Sequence, residues 1–479
     1  MAHMTHFRTR FAPSPTGFLH VGGIRTALFA FLVAQQSKGT FILRFEDTDK
    51  KREVPGSAEH LISSLKAIGI EYDEGPDIGG PFGPYIQSQR RDHYKKWAQK
   101  LIEAGRAYAD PYTTDEIQAF REQAQANKRA FRYRDHRPEN PPAWDGTTPL
   151  RFKSEPISYT YHDEVMGDIT TSPEVVDDFI LMKSDGYPTY NFAHIVDDAE
   201  MEITHVIRGQ EFISSMANYL ALYEALGVKR PIFAHLPHIM NEQGNKKLGK
   251  RDGAKDVLDY IRQGYLPETM MSFIASMGWN DGTEQEVYTK NELIDKFSLD
   301  RVQRSGARFD EKRLLWMNGH FIRQLSLDEL SNRVEYFWSS SAKKAPDVYK
   351  KQILALAQDR LKTLSDLPEL TNFFFEEPAV DLELIDTNKQ LKKLDREAQC
   401  SLLQTAHDAL GESKFDAQSI QDTLNQLLVT THQKPGVLFS LIRIAITWAP
   451  FSPELNETLA ILGRETTRKR LALAISQLQ

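Results

Sequence analysis

The spacing of apolar residues changes twice along the chain, and the changes divide it. Over the first 70 residues, short apolar runs alternate with helical stripes. Phe7 to Ala12 reads as a strand. Ile24, Ala27, Leu28, Phe31 and Leu32 then recur at helical spacing, which predicts an amphipathic helix to about Gln36. Gly39 breaks the chain before a second strand over Phe41 to Phe45. Pro55-Gly56-Ser57 opens another helix, with Ser57 as N-cap and Leu61, Leu65 and Ile68 as its buried stripe. The order β-α-β-α argues for a parallel sheet with crossover helices, whose ligands bind beyond the carboxyl ends of the strands.

The pattern then loosens. Gly75 to Pro84 is a loop, Ser88 to Ala104 a helix, and Tyr108 to Pro156 polar and irregular. That last stretch interleaves Lys128, Arg129, Arg132, Arg134 and Arg137 with Phe131 and Tyr133, a mixture that suits either a solvated loop or a nucleic-acid surface. Strand-like runs resume at Phe179 to Met182, Ile203 to Ile207 and Ile232 to Ile239, with a helix from Phe212 to Leu226 between the last two. These read as the second half of the sheet, residues 82–189 being inserted between the halves. After a flexible basic loop, Asn245 to Gly253, the chain is helical almost to its end, with no strand expected after about residue 300. The expected fold class is an α/β Rossmann-type domain carrying an insertion, followed by helical regions.

Composition narrows the function classes. A hydrophobic content of 41% supports packed cores, and 479 residues imply several domains. The formal net charge of −7 excludes a generally basic nucleic-acid binder, so a polyanion must meet local basic patches. The lone Cys400 allows neither an intramolecular disulfide nor a cysteine metal cluster, and fits a reducing compartment. No apolar run approaches the roughly 18–20 residues of a membrane span. The expectation is a cytoplasmic protein.

Candidate chemistry gathers in three places. The loop Arg10 to Gly23 ends in His20-Val21-Gly22-Gly23 at a helix mouth, where N–H groups and the helix dipole suit phosphate. Glu46-Asp47-Thr48-Asp49 follows the second strand. The Lys247, Lys250 and Arg251 loop carries cations able to close over a triphosphate. Each has a bland alternative: a turn, a capping carboxylate, a solvated loop. Together they match nucleotidyl transfer, which needs cations and N–H donors on the α-phosphate and the departing pyrophosphate.

At these residues the chain resembles a known family. Arg10 to Gly23 and Lys247-Leu248-Gly249-Lys250-Arg251 look like the two signature motifs of class I aminoacyl-tRNA synthetases. The wording of Arg44 to Asp49, Leu181 to Tyr190, His205 to Gly209 and Leu315 to Gly319 is similar to that of the bacterial glutamyl members. The resemblance runs from about residue 7 to the C-terminus and is strongest up to about 325. It implies a split Rossmann catalytic domain (4–81 and 190–242), an inserted acceptor-arm domain (82–189), a stem-contact domain (243–325) and an all-helical anticodon-binding region (326–479) split near 380. It implies ATP with Mg2+, L-glutamate and tRNA(Glu) as reactants, with tRNA(Gln) also charged in some members, and a monomer.

The resemblance also assigns roles. His20, Gly22, Gly23, Lys247, Lys250 and Arg251 would serve catalysis, and Glu211 and Ile239 would join His20, Gly23 and Lys250 around ATP, Ile239 as a flat apolar surface for adenine. Arg10, Ala12, Ser14, Glu46, Tyr190, His194 and Arg208 would bind glutamate. Bidentate recognition of carboxylates suits Arg10 and Arg208, and Glu46 would meet the ammonium. Arg132 and Arg134 would touch the acceptor arm, Arg360 and Arg443 the anticodon. Three departures stand out: Gly249 replaces the usual serine, His194 falls where some members have asparagine, and no cysteine surrounds Tyr108 to Pro111, where some relatives hold zinc, so no zinc is expected. Three other readings compete: a short glutamyl transferase acting on a tRNA base, a silent RNA-binding paralogue and a small-metabolite nucleotidyltransferase. The helical residues after 325 speak against the first, the retained His20, Glu46, Arg208, Lys247 and Lys250 against the second, and the length of the chain against the third.

Overall fold

A computed structural model describes residues 6–249, 256–449 and 451–479. Its contacts divide the chain into two units, Met1–Ile261 with Pro267–Glu311, and Arg262–Leu266 with Lys312–Gln479.

The first unit opens with β1 (Arg8–Phe11), α1 (Val21–Gln36), β2 (Thr40–Leu43), α2 (Ser57–Ala67) and α3 (Arg91–Glu103). Next come β3 (Ala107–Ala109), α4 (Thr114–Ala126), β4 (Leu150–Phe152), the hairpin β5 (Thr160–Asp163) and β6 (Gly167–Thr170), and β7 (Ile180–Met182). It continues through α5 (Tyr190–Glu200), β8 (His205–Gly209), α6 (Met216–Leu226), β9 (Ile232–Leu236), β10 (Ile239–Met240), α7 (Val257–Arg262), α8 (Pro267–Ser276), α9 (Lys290–Lys296) and β11 (Ala307–Arg308). Six strands form the main sheet in the order β2-β1-β8-β9-β5-β6, parallel except for the β5–β6 hairpin.

Several expectations need correction. The run ending at Met182 is not part of this sheet: β3, β4 and β7 make a separate antiparallel sheet. The main sheet instead takes β5 and β6 from the middle of the segment expected to be a separate insert. Helix α1 is not one-sided. Its stripe is buried, but so are Phe29, Ala30, Val33 and Ala34, because α8 and α9 cover the face turned away from the sheet. Phe29 meets Phe297 at 4.7 Å there. Ser57 is the first helical residue rather than the cap. Gly56 takes the N-cap position at φ +78°, which favours glycine, and the Ser57 hydroxyl donates to the Pro15 carbonyl at 2.8 Å. The polar stretch after Tyr108 holds α4, started by a Thr113–Glu116 capping box. A two-residue strand, β11, lies past residue 300 and pairs with β10.

The second unit is helical throughout: α10 (Glu311–Gln324), α11 (Leu327–Val334), α12 (Asp347–Ala357), α13 (Leu367–Thr371), α14 (Glu383–Asp386), α15 (Arg396–Glu412), α16 (Ala417–Thr431), α17 (Pro435–Thr447), α18 (Leu455–Leu462) and α19 (Arg464–Leu478). Leu403, Ala406, Leu441, Ala445, Leu471 and Ala474 are fully buried where α15, α17 and α19 pack together. No helix among the described residues is long and apolar enough to cross a membrane.

Candidate active site

The carboxyl ends of β1, β2 and β8 and the first turn of α5 enclose a cavity of about 230 Å3. Arg10, Ala12, Ser14, Glu46, Tyr190 and Arg208 all line it, as does Glu211. Six of the seven residues expected around glutamate therefore share one small space. His194 is not among the lining residues. It sits behind Tyr190, its ring stacked on the phenol at 4.8 Å and its Nδ1–H donating to the Tyr190 carbonyl at 2.8 Å. Burial, reinforced by Arg208, lowers the His194 pKa to about 3, so the ring is neutral.

Helix periodicity explains much of the wall. Tyr190, His194 and Asp198 recur every four residues along α5 and so share a face. Asp198 accepts from Arg10 Nε at 3.0 Å and pairs with Arg44 at 2.9 Å, all three side chains being nearly inaccessible. Burial opposes its ionisation, but the two guanidinium groups outweigh that and hold its pKa at about 2. Glu46 behaves in the opposite way. Arg44 donates to it at 2.8 Å, yet burial dominates and lifts its pKa to about 7. The neighbouring Asp197 holds Arg90 at 2.7 Å, tying α3 to the same helix.

Arg208 differs from these arginines. Its Nε donates to His235 at 3.1 Å, Met216 Sδ lies 2.9 Å from one terminal nitrogen, and Phe212 and Tyr219 flank its carbon, each at 4.9 Å. No carboxylate among the described residues pairs with it. Its other terminal nitrogen is buried without a hydrogen-bond partner, an arrangement that favours an incoming anion.

The nucleotide residues lie to one side. His20 caps α1, its Nδ1 accepting the Gly22 N–H at 3.1 Å, so the neutral ring carries its proton on Nε2 and can donate there. A Cβ on Gly22 would sit 3.0 Å from the His20 ring and one on Gly23 2.5 Å from Leu19, so side chains there would crowd the helix mouth. Ile239 is only 5% exposed and belongs to β10, so the flat adenine surface expected of it is not open. Its carbonyl instead accepts from Leu248 N–H at 2.8 Å, anchoring the hairpin that carries Lys247. Lys247 is half exposed and reaches to 3.9 Å from Glu211, which joins the two halves of the site. Lys250 and Arg251 lie outside the described residues.

A larger cleft of about 690 Å3 opens beside the cavity and shares Ser14, Glu46 and Tyr190 with it. Lys50, Lys51, Arg52 and Lys183 line it together with Glu46, Asp47, Asp49, Glu53 and Asp185, and Lys50 and Lys183 are ion-paired to these carboxylates. The cations expected to meet the acceptor arm are less open. Arg134 is largely buried, its guanidinium tied to the Pro173 and Val176 carbonyls, so it is an internal brace of the insert. Arg132 pairs with Glu174 at the surface. Arg360 and Arg443 converge on one short segment, Arg360 on Glu454 at 2.8 Å and Arg443 on the Ser452 hydroxyl at 2.9 Å.

The sequence reading did not place Asp198, His235 and the Lys50–Arg52 run beside the site. Asp198 was traceable from the helical spacing after Tyr190. The other residues carry no local signal.

A split parallel sheet with a helix-mouth loop, a strand-end carboxylate and a basic hairpin around one crevice is the architecture of a class I synthetase catalytic domain. Residues 6–316 match the family described as tRNA synthetases class I (E and Q), catalytic domain, and residues 329–475 match an anticodon binding domain. The chain is 39% identical over 481 residues to a glutamate–tRNA ligase of Clostridium botulinum, with 98% of each chain covered, and 39% identical over 492 residues to that of Chloroflexus aurantiacus, again covering 98% of each. It superimposes with a TM-score of 0.87 on a glutamate tRNA ligase from Elizabethkingia meningosepticum crystallised with its amino acid, at 32% identity, covering 99% of this chain and 100% of that one. The chain belongs to the glutamate–tRNA ligase family of class I synthetases.

Proposed function

We propose that this enzyme activates L-glutamate with ATP and transfers it to tRNA(Glu) through the cavity described above. One observation carries the amino-acid reading. Of the guanidinium groups in and directly behind the cavity, Arg10 pairs with Asp198 and Arg44 with Glu46 and Asp198, whereas Arg208 has no acidic partner among the described residues and keeps one buried nitrogen without a hydrogen-bond partner. Arg208 is therefore the cation left to meet a carboxylate of the substrate. Arg208 would take a carboxylate, Glu46 the ammonium, and Arg10, held by Asp198, would face the second carboxylate.

In the first step a glutamate carboxylate oxygen attacks the α-phosphorus, the bond to the bridging oxygen breaks, and pyrophosphate leaves. His20 Nε2–H, the N–H groups at the mouth of α1, Lys247 and, beyond the described residues, Lys250 and Arg251 would stabilise the charge that develops. ATP would enter as its magnesium salt. In the second step the 2′-hydroxyl of the terminal adenosine attacks the activated carbonyl and AMP leaves. The cleft that carries Lys51 and Arg52 opens onto the cavity at Ser14, Glu46 and Tyr190, which would bring that hydroxyl beside the adenylate. We assign residues 82–189 to the acceptor arm, 243–325 to the stem and 326–479 to the anticodon, in a cytoplasmic monomer.

Charging assays test this reading. Glutamate should be esterified to tRNA(Glu), while aspartate, one methylene shorter, and glutamine, lacking the second charge, should not. Equal use of glutamine would overturn the charge argument. The same assay with purified tRNA(Gln) separates discriminating from non-discriminating behaviour.

A further inference from the structure

The β5–β6 hairpin reaches out of the segment between the two halves of the sheet and lends it two strands. Asp163, the last residue of β5, pairs in register with Phe233 of β9, which sets its carboxylate beside His235. Asp163 Oδ2 lies 2.6 Å from His235 Nδ1, and His235 Nε2 lies 3.1 Å from Arg208 Nε. Asp163 and His235 are wholly inaccessible and Arg208 is 5% exposed. A guanidinium nitrogen can only donate, so His235 Nε2 must accept and the ring proton must sit on Nδ1, donated to Asp163.

We propose that Asp163 and His235 are positioning residues for substrate recognition: the Asp163 carboxylate fixes the His235 tautomer, and the bare Nε2 of that ring aims the Arg208 guanidinium into the amino-acid cavity. The proposal rests on the reading of Arg208 as a ligand of a glutamate carboxylate.

The two oxygens of Asp163 have separate tasks. Oδ1 accepts the backbone N–H groups of Val165, Met166 and His235 at 3.1, 2.9 and 3.2 Å and so holds the turn of the hairpin, whereas Oδ2 bonds only the ring. Asp163→Asn can therefore keep the turn through its amide oxygen. Its NH2 group would then face Nδ1 and drive the ring proton to Nε2, setting two donors against each other at Arg208.

Steady-state charging kinetics read the outcome. Asp163→Asn should raise the glutamate KM by about tenfold or more, the scale of a charge-assisted hydrogen bond, with the ATP KM unchanged. His235→Gln keeps an acceptor for Arg208 and should retain most of the affinity, and in that background Asp163→Asn should add nothing. His235→Phe, which leaves the hairpin carboxylate in place but removes the acceptor, should raise the glutamate KM as Asp163→Asn does, and serves if the latter fails to fold. An unchanged glutamate KM in Asp163→Asn, an equal cost of that change in both backgrounds, or equal KM values for His235→Phe and His235→Gln would overturn the proposal. Arg208→Ala separates this from the reading beneath it. If it leaves the glutamate KM unaltered, the cavity assignment falls; if it raises the KM while Asp163→Asn does not, only the positioning role falls.

Discussion

The arginines of the amino-acid cavity and Arg360 beside Glu454 are the same residue used under opposite conditions. Arg10, Arg44 and Arg208 are at most 5% exposed, each held by a buried partner. The Arg360 side chain is 53% exposed and its partner Glu454 67% exposed. A buried guanidinium with fixed neighbours is oriented before its ligand arrives, and losing one neighbour leaves an uncompensated charge in a medium that solvates it poorly. An exposed one is solvated whether or not it is paired, so its partner contributes little and can be exchanged for another anion. Rigid recognition of a small zwitterion fits the first condition, and contact with a long polyanion fits the second.

The sharpest way to break this comparison is to remove one carboxylate from each region. Asp198→Ala strands Arg10 and Arg44, and should destabilise the protein by about 3–5 kcal/mol in denaturant unfolding while abolishing glutamate activation. Glu454→Ala should cost less than about 1 kcal/mol. Similar losses for the two would mean that burial is not what distinguishes the regions.

A smaller effect comes from Glu46, whose carboxyl burial pushes up to about 7 against the pull of Arg44. An ammonium group needs the ionised form, so the glutamate KM should fall as pH rises through about 7 and level off above it. The effect on stability has the opposite sign. The folded state holds the proton more tightly than the unfolded chain, so this group's contribution is fully present below its ordinary value of 4.5 and is lost as pH rises through about 7. Glu46→Gln should flatten this step in the KM profile and raise KM at pH 8. A wild-type KM that is flat from pH 6 to 8 would show that the charge of Glu46 does not meet the ammonium.

The contrast also explains which features were legible in the sequence. The loop from Arg10 to Gly23, Glu46 and Arg208 lie at strand ends, and a β-α-β pattern brings strand ends together; the cavity could be assembled from such positions alone. Asp163 could not. It lies in a segment that reads as insert, and only the pairing of β5 with β9 carries it under the site. Helix α4 was missed because it buries no residue and so leaves no apolar period, its start being marked only by Thr113 and Glu116. Arg134 was misassigned because composition cannot tell a cation facing solvent from one bonded to the Pro173 carbonyl.

The smallest expected effect tests the exposed side directly. If Arg360 meets a polyanion, Arg360→Ala should weaken tRNA binding several-fold at low salt, on the order of 1 kcal/mol, and reduce the steepness of its salt dependence by somewhat less than one ion. Arg360→Lys should restore the salt dependence, because a screened charge on an exposed side chain is replaceable. Arg443 should not follow that pattern. Its Nε is committed to the Ser452 hydroxyl, so Arg443→Lys cannot reproduce the bond and should weaken binding nearly as much as Arg443→Ala. Filter binding of tRNA(Glu) across a salt series measures all four variants. Rescue by lysine at both positions would mean that the segment is read by charge alone, and rescue at neither would place Arg360 with the fixed arginines of the cavity.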